Sequence, residues 1–249
     1  MALPTVVARD EWLAARKELL TREKELTRAR DALNTARRNL PMVRVDKEYT
    51  FEGPDGPATL ADLFAGQRQL IVQHVMFGPD WEKACPSCTA TTDELSDGLI
   101  SHLRARQTEY VLVSRTPMDK IQKYRAERGW TLPWYSSLGS DFNYDFNVTI
   151  DASVRPVMFN YRGPEELKAA GLEWVLNPAD HPSEQPGMSC FLRDGDEIYH
   201  TYSTYGRGTE AMGGAYGLLD LTALGRQEEW EEPKGRADKP NAPEPSFRE

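Results

Sequence analysis

Cys85 and Cys88 are separated by two residues in the segment Cys85-Pro-Ser-Cys88, which lies between an apolar run ending at Phe77 and a stretch with helical periodicity. A thiol in the first turn of a helix meets backbone N–H groups that have no intrahelical partner, together with the positive end of the helix dipole. Both favour thiolate over thiol. The placement therefore points to Cys85 as a sulfur nucleophile. Pro86 suits the first helical turn, where its missing N–H is no loss. Cys88 falls about one turn later, within reach of a mixed disulfide formed at Cys85, so one sulfur attacks and the other resolves. Nearby charges oppose one another, since Lys83 favours the thiolate and Asp80 and Glu82 disfavour it. A moderately lowered thiol pKa is expected.

The same spacing is also half of a zinc site, but no second cysteine pair follows, and His74, His102, His181 and His200 lack zinc-finger spacing. Redox use is favoured and no metal is assigned. His74, on the run leading to the cysteines, reads as a buried histidine bonded to a carbonyl. Its alternative as a copper or zinc ligand with Cys85 and Cys88 ranks well below that, and His200 is treated likewise. Cys190 reads as a small packed apolar residue. The glycines of Gly206-Arg-Gly208 and Gly213-Gly214 lack the strand, loop and helix context of a phosphate cradle, so no nucleotide site is assigned.

Several blocks carry a resemblance. Gln67 to Cys88, with its His-x-Met-Phe-Gly-Pro-Asp-Trp lead into Cys-Pro-Ser-Cys, is followed by Trp130-Thr-Leu-Pro-Trp-Tyr-Ser-Ser, by Gly139-Ser-Asp-Phe-Asn-Tyr-Asp-Phe146 and by His200-Thr-Tyr-Ser-Thr-Tyr-Gly-Arg207. Over about residues 8 to 230 the chain resembles a bacterial family of thioredoxin-like proteins of unknown function. The resemblance implies a thioredoxin-like fold and a redox centre. Within that wider superfamily a disulfide reductase would use Cys85 as nucleophile and Cys88 to resolve. A peroxiredoxin would instead present Cys88 to peroxide, with Cys85 at the place of the Thr in its Thr-x-x-Cys pattern. The full Pro-x-x-x-Thr-x-x-Cys pattern is absent, because Trp81 stands four residues before Cys85. The superfamily's cis-proline has Pro186 as its nearest candidate, about two residues early relative to Cys190-Phe191-Leu192.

The elements that must hold the cysteines read as a strand over 69 to 77, a helix from about 86 to 106, a strand from Glu109 to Ser114, a helix over 117 to 128 and an extended stretch from Trp130 to Ser137. Strand, helix and strand in short order imply a right-handed crossover onto a parallel sheet. Upstream, 43 to 65 reads as a strand, a turn at Gly53-Pro-Asp-Gly56 and a short helix begun by Thr59 with Asp62 three positions on, a variant of the capping box. A loop-rich middle covers roughly 139 to 187, and the run from Ser140 to Phe146 reads as a half-buried strand or turn. Met188 to Arg193 and Glu197 to Tyr202, around Asp194-Gly195-Asp196, predict an antiparallel hairpin. A last short helix is expected at about 211 to 223. Tyr202, Tyr205 and Arg207, with Pro186, are candidates to close the mouth of the cysteine site and bind a substrate, and Trp81 to limit its exposure.

Residues 9 to 40 contain neither Gly nor Pro, and Trp12, Leu13, Leu19, Leu20, Leu26, Ala29, Leu33 and Leu40 recur at three, four and seven. They predict one long amphipathic helix, an extension over 1 to 42 before a thioredoxin-like domain at 43 to 225. Its stripe is expected to pack on its own domain, with a subunit contact as the alternative. The tail from Arg226 to Glu249 holds four prolines and twelve charges and reads as polar and loosely attached.

The whole chain has 249 residues, a formal charge of -9 and a mean hydropathy of -0.62. A net negative chain repels phosphate backbones and anionic lipid, so nucleic acid and membrane are excluded as first partners. The longest apolar run, 70 to 77, is far below the roughly 20 residues of a membrane span. A secretory signal is absent from the N-terminal residues, and three cysteines make no disulfide framework, so a cytoplasmic location is expected. The expectation is an α/β protein with a thioredoxin-like mixed sheet flanked by helices, acting as a thiol-disulfide oxidoreductase or a related thiol-dependent reductase, with a peroxiredoxin-like peroxidase using Cys88 and a metal- or partner-binding protein of the same fold as the alternatives. Its partners are a thiol or disulfide substrate and a recycling thiol system, it needs no organic cofactor, and a homodimer would form through the N-terminal helix.

Overall fold

A computed structural model describes residues 4–212. Helix α1 runs Arg9–Arg38, and short strands β1 (Val43–Arg44), β2 (Thr50–Gly53) and β3 (Gly56–Thr59) follow. Then come β4 (Gln69–His74), α2 (Pro86–Asp93), α3 (Asp97–Arg104), β5 (Thr108–Ser114), α4 (Met118–Arg128) and β6 (Trp134–Ser136). The later part holds α5 (Phe142–Asp145), β7 (Thr149–Ile150), α6 (Pro164–Ala169), β8 (Ser183–Glu184) and the hairpin β9 (Gly187–Asp194) and β10 (Glu197–Tyr205). The expected helix at about 211 to 223, the Gly213-Gly214 pair and the tail from Arg226 lie outside the described residues.

Eight strands form one mixed sheet in the order β1-β10-β9-β4-β5-β6-β2-β3. β5 lies parallel to β4 and to β6, whereas β9 runs antiparallel to β4 and to β10. A central strand followed by a crossover to a parallel neighbour on one side, with an antiparallel hairpin added on the other, is a thioredoxin-like sheet.

The alternation of side chains along the central strands divides the core in two. Tyr110 and Leu112 face α2, α3 and α4, packing with Val75, Cys88, Ile100, Ile121, Tyr124 and Trp134. Val111 and Val113 face the other way with Leu70, Val72, Phe51, Phe64, Phe142, Phe146 and Phe191. Every residue of β5 is buried, as expected of a parallel strand covered on both faces. Its Glu109 is tolerated there because Arg104 donates Nε and Nη2 to its carboxylate at 2.9 and 3.0 Å.

Several expectations are corrected. The helix expected at 86 to 106 is two helices. Thr89, Thr91 and Thr92 turn their hydroxyls back onto the carbonyls of Cys85, Ser87 and Cys88, a bonding pattern that weakens a helix interior. Ser96 then restarts the chain as an N-cap, its Oγ accepting from Leu99 N–H at 3.1 Å. The extended stretch from 130 contracts to Trp134–Ser136, and of the strand or turn expected over Ser140 to Phe146 the turn is found, as a turn of helix at Phe142–Asp145. At its open end the hairpin is longer than expected by one residue on β9 and by three on β10. Thr59 and Asp62 do cap the turn that follows them, with Asp62 Oδ2 accepting from both N–H and Oγ1 of Thr59 at 2.7 Å.

α1 departs most from expectation. None of its residues is buried, so its stripe does not pack on its own domain. Contact with the sheet comes near its end, where the Arg37 guanidinium lies 4.7 Å from the Tyr202 ring centroid and β1 then pairs with β10 at Val43–His200 and Arg44–Tyr199. A helix of this length reaches about 45 Å. No helix among the described residues is long and apolar enough to cross a membrane.

Candidate functional site

The cysteine pair sits where β4 passes its chain to α2. After His74 the backbone runs through Val75 and Met76 into an exposed loop, and Cys85 brings it back by donating its N–H to Met76 O at 2.8 Å. Lys120 on α4 fixes the intervening loop, its Nζ donating to the carbonyls of Pro79 and Trp81 at 2.8 and 3.2 Å. The Trp81 indole lies against Gly78, where an added Cβ would come within 2.9 Å of Nε1, so only glycine leaves the ring its place.

Cys85 is the N-cap of α2, with extended ψ of 132°, and Pro86 occupies the first turn. The Cys85 carbonyl accepts from N–H and Oγ1 of Thr89 at 2.9 and 3.0 Å, and Thr89 Oγ1 also meets Tyr124 OH at 2.9 Å. These bonds aim the sulfur. It receives a hydrogen bond from the Cys88 thiol, and further ones from the N–H groups of Cys88 and Ser87 and from the Ser87 hydroxyl. Together they outweigh burial and pull the Cys85 thiol down from its usual range to about 6. Cys88 moves the other way, because its proton is held by Cys85 and it is 5% exposed.

Both sulfurs are free thiols within hydrogen-bonding reach of each other, an arrangement that suits attack by one and resolution by the other. Lys83, Asp80 and Glu82 are exposed and are not among the principal causes of the shift, so directed hydrogen bonds replace the charge balance expected from sequence.

His74 points away from this pair, into the opposite core layer among Phe142 and Phe146. Its Nε2 meets Ser189 Oγ at 2.8 Å, Ser189 Oγ meets Ser203 Oγ at 2.8 Å, and Ser203 Oγ meets His200 Nε2 at 2.7 Å. A serine hydroxyl, not a carbonyl, meets His74 Nε2, its buried Nδ1 has no hydrogen-bond partner among the described residues, and the chain of bonds crosses three strands. Burial lowers the pKa of both histidines, that of His74 to about 3. His74, Cys85 and Cys88 therefore do not form one ligand set, and no three His, Cys, Asp or Glu side chains among the described residues are arranged to hold a metal ion.

The family model described as bacterial protein of unknown function (DUF899) matches residues 1–242. The chain belongs to this family. No curated protein matches it. Among solved structures, peroxiredoxin Q of Xanthomonas campestris is 12% identical, with 63% of this chain and 78% of that chain covered and a TM-score of 0.41. The peroxidoxin BcpB of Mycobacterium tuberculosis is 14% identical, with coverage of 66% and 84% and a TM-score of 0.43. A putative protein disulfide isomerase of Bacteroides thetaiotaomicron is 17% identical, with coverage of 59% and 92% and a TM-score of 0.33. The fold of this member of the family is read from its own strand order.

The remaining expected site residues disperse. Tyr202 pairs across the ladder with Cys190 and Tyr205 with Gly187, three positions apart on β10, so they occupy opposite faces and cannot line one mouth. Tyr202 lies under Arg37, whereas Tyr205 is buried, donates its OH to Phe146 O at 2.8 Å and covers Gly187. Arg207 pairs with Glu210. Pro186 precedes Gly187, the partner of His74, and so stands at the end of the sheet from which the cysteine loop departs. The cis peptide among the described residues, however, is His181-Pro182. Cys190 shares the thiol-side layer but burial pushes its thiol up to about 11, as befits a packed residue. A cavity of about 550 Å³ between the start of α3 and the end of α4 includes neither reactive sulfur in its lining.

Sequence reasoning missed Ser87, Thr89, Tyr124 and Lys120. Ser87 was visible as the inner residue of the motif, whereas Tyr124 and Lys120 carry no local signal, since only the crossover brings α4 against the loop.

Proposed function

We propose that the protein is a thiol-disulfide oxidoreductase in which Cys85 attacks and Cys88 resolves. The observation that carries this reading is the placement of two free thiols in contact at the start of α2, Cys85 as its N-cap and Cys88 in its first turn. Cys85 is favoured as thiolate at neutral pH, and Cys88 holds its proton beneath it. The Cys85 thiolate attacks one sulfur of a substrate disulfide, forming a mixed disulfide and expelling the other sulfur as thiolate. Cys88, losing its proton to solvent or to that leaving group, then attacks the Cys85 sulfur. The intramolecular disulfide forms, the mixed bond breaks, and the substrate leaves with two electrons. An external dithiol returns them.

Pro86 starts α2 without wasting a donor, and Ser87 and the two backbone N–H groups hold the negative charge at Cys85. No organic cofactor enters these steps. We place the cycle in the cytoplasm, whose reducing thiols would serve as the recycling system. Cys88 as the peroxide-attacking sulfur finds less support, because it is buried and protonated in the pair.

Mild oxidation of the reduced protein should remove about two daltons of mass from the peptide linking Cys85 and Cys88 and leave Cys190 unmodified. Cys88→Ser should trap substrate as a mixed disulfide at Cys85, and Cys85→Ser should abolish turnover. Peroxide consumption that survives Cys85→Ser but not Cys88→Ser would transfer the reaction to the other sulfur and overturn this assignment.

A further inference from the structure

Trp12, Leu19, Leu26, Leu33 and Leu40 recur every seven residues along α1 and its first residues beyond. They are 46%, 48%, 62%, 59% and 48% exposed, so the row is open to solvent along its whole length. Ala15, Ala29 and Ala36 lie three positions after members of the row, with Arg22 as the one long side chain among them. Such a repeat, sustained over four heptads, is a coiled-coil seam. A helix that buries nothing also lacks the tertiary packing from which helices in proteins draw most of their stability.

The charges beside the seam identify the occupant. One position before members of the row stand Glu11, Glu18 and Glu25, and four positions after stand Arg16, Glu23, Arg30 and Arg37. One flank is acidic and the other mainly basic. In a parallel pair each flank meets the opposite flank of the other helix at an offset of five, which joins Glu11 to Arg16 and Glu25 to Arg30 of the second copy and leaves Glu18 facing Glu23 as the single mismatch. In an antiparallel pair like flanks meet, setting glutamates against glutamates.

We propose that α1 pairs with α1 of a second copy of this chain in a parallel two-stranded coiled coil. Alanines in alternate layers let the helices approach closely, and Arg22 lifts its guanidinium out of the seam, fixing the register at some expense of stability. Arg37 lies over Tyr202 while Leu33 and Leu40 stay exposed, so the domain sits beside the seam and does not block it. The two thiol sites are then carried at the same end of the coil. The pairing does not depend on the thiol chemistry.

The full-length protein should sediment as a dimer, and the double variant Leu26→Glu, Leu33→Glu should sediment as a monomer with unchanged near-ultraviolet circular dichroism, its association weakened at least about hundredfold. A monomeric parent, or a double variant that remains dimeric, overturns the proposal. Orientation is read in protein carrying Cys85→Ser, Cys88→Ser and Cys190→Ser. Adding Leu33→Cys should give a covalent dimer on oxidation, since a parallel seam sets equivalent positions side by side. A cross-link that forms only when Leu33→Cys is mixed with Leu19→Cys shows antiparallel pairing and overturns it equally.

Discussion

At the scale of single residues, the chemistry rests on which groups touch the Cys85 sulfur. Alkylation by a neutral haloacetamide reads the thiolate, so its rate should follow a midpoint of about 6. Ser87→Ala removes a donated hydroxyl and should move that midpoint up, leaving the N–H bonds in place. Stability must follow the same protons. Between about 6 and the ordinary thiol value the unfolded chain holds a proton at Cys85 that the folded chain has released, so folding stability of the reduced protein rises with pH across that window. Cys88, whose folded pKa is raised, has the reverse effect above the ordinary value. Urea unfolding in excess reductant at several pH values should therefore show the parent gaining stability over Cys85→Ser from about pH 6 upward. A constant difference between the two proteins would mean that the sulfur is not held as thiolate. The motif and its place before a helix were legible in the sequence; the strength of the effect was not, because it depends on where four donors point.

At the scale of elements, two connections hold the site, and local pattern announces neither. Lys120 ties the loop of Gly78 to Trp81 onto α4 by two carbonyls. Lys120→Met should leave the fold intact, because the side chain caps an exposed loop, yet lower the rate of attack at Cys85 by loosening the approach to it. A fall of about tenfold in disulfide exchange with unchanged thermal stability is expected. Below the sheet, His74, Ser189, Ser203 and His200 link β4, β9 and β10. Ser189→Ala leaves the buried His74 Nε2 without that partner and should cost about 1–3 kcal/mol, measured by denaturant unfolding at neutral pH. The strand, helix and strand order around the cysteines was legible, since hydrophobic period distinguishes those elements. The break between α2 and α3 was obscured because threonines that weaken a helix still fit its apolar spacing. Tyr202 and Tyr205 looked like one group in sequence, but the period of the strand sends them to opposite faces.

At the scale of the whole molecule, the question is which way electrons run. Strand order and the position of the thiols follow from a short crossover and a hairpin, both readable from sequence, whereas the direction of electron flow is set by how much the fold favours the reduced pair. A thiolate held at about 6 stabilises the dithiol relative to the disulfide, because a lowered thiol pKa favours the reduced form. The pair should therefore be more oxidising than thioredoxin, at about −270 mV, without reaching about −120 mV, the value of a strong oxidant whose thiol lies lower still. Equilibration with glutathione at fixed ratios reads this value, and Ser87→Ala should move it toward the thioredoxin end. In a cytosolic glutathione poise of roughly −220 to −260 mV such a pair stays largely reduced and attack-ready. Under the proposed function it would reduce mixed disulfides or oxidised thiols but would lack the driving force to open structural disulfides below about −300 mV. A measured value below that of thioredoxin would reverse the argument, making the protein a reductant of stable disulfides and leaving the hydrogen bonds at Cys85 with a kinetic role alone.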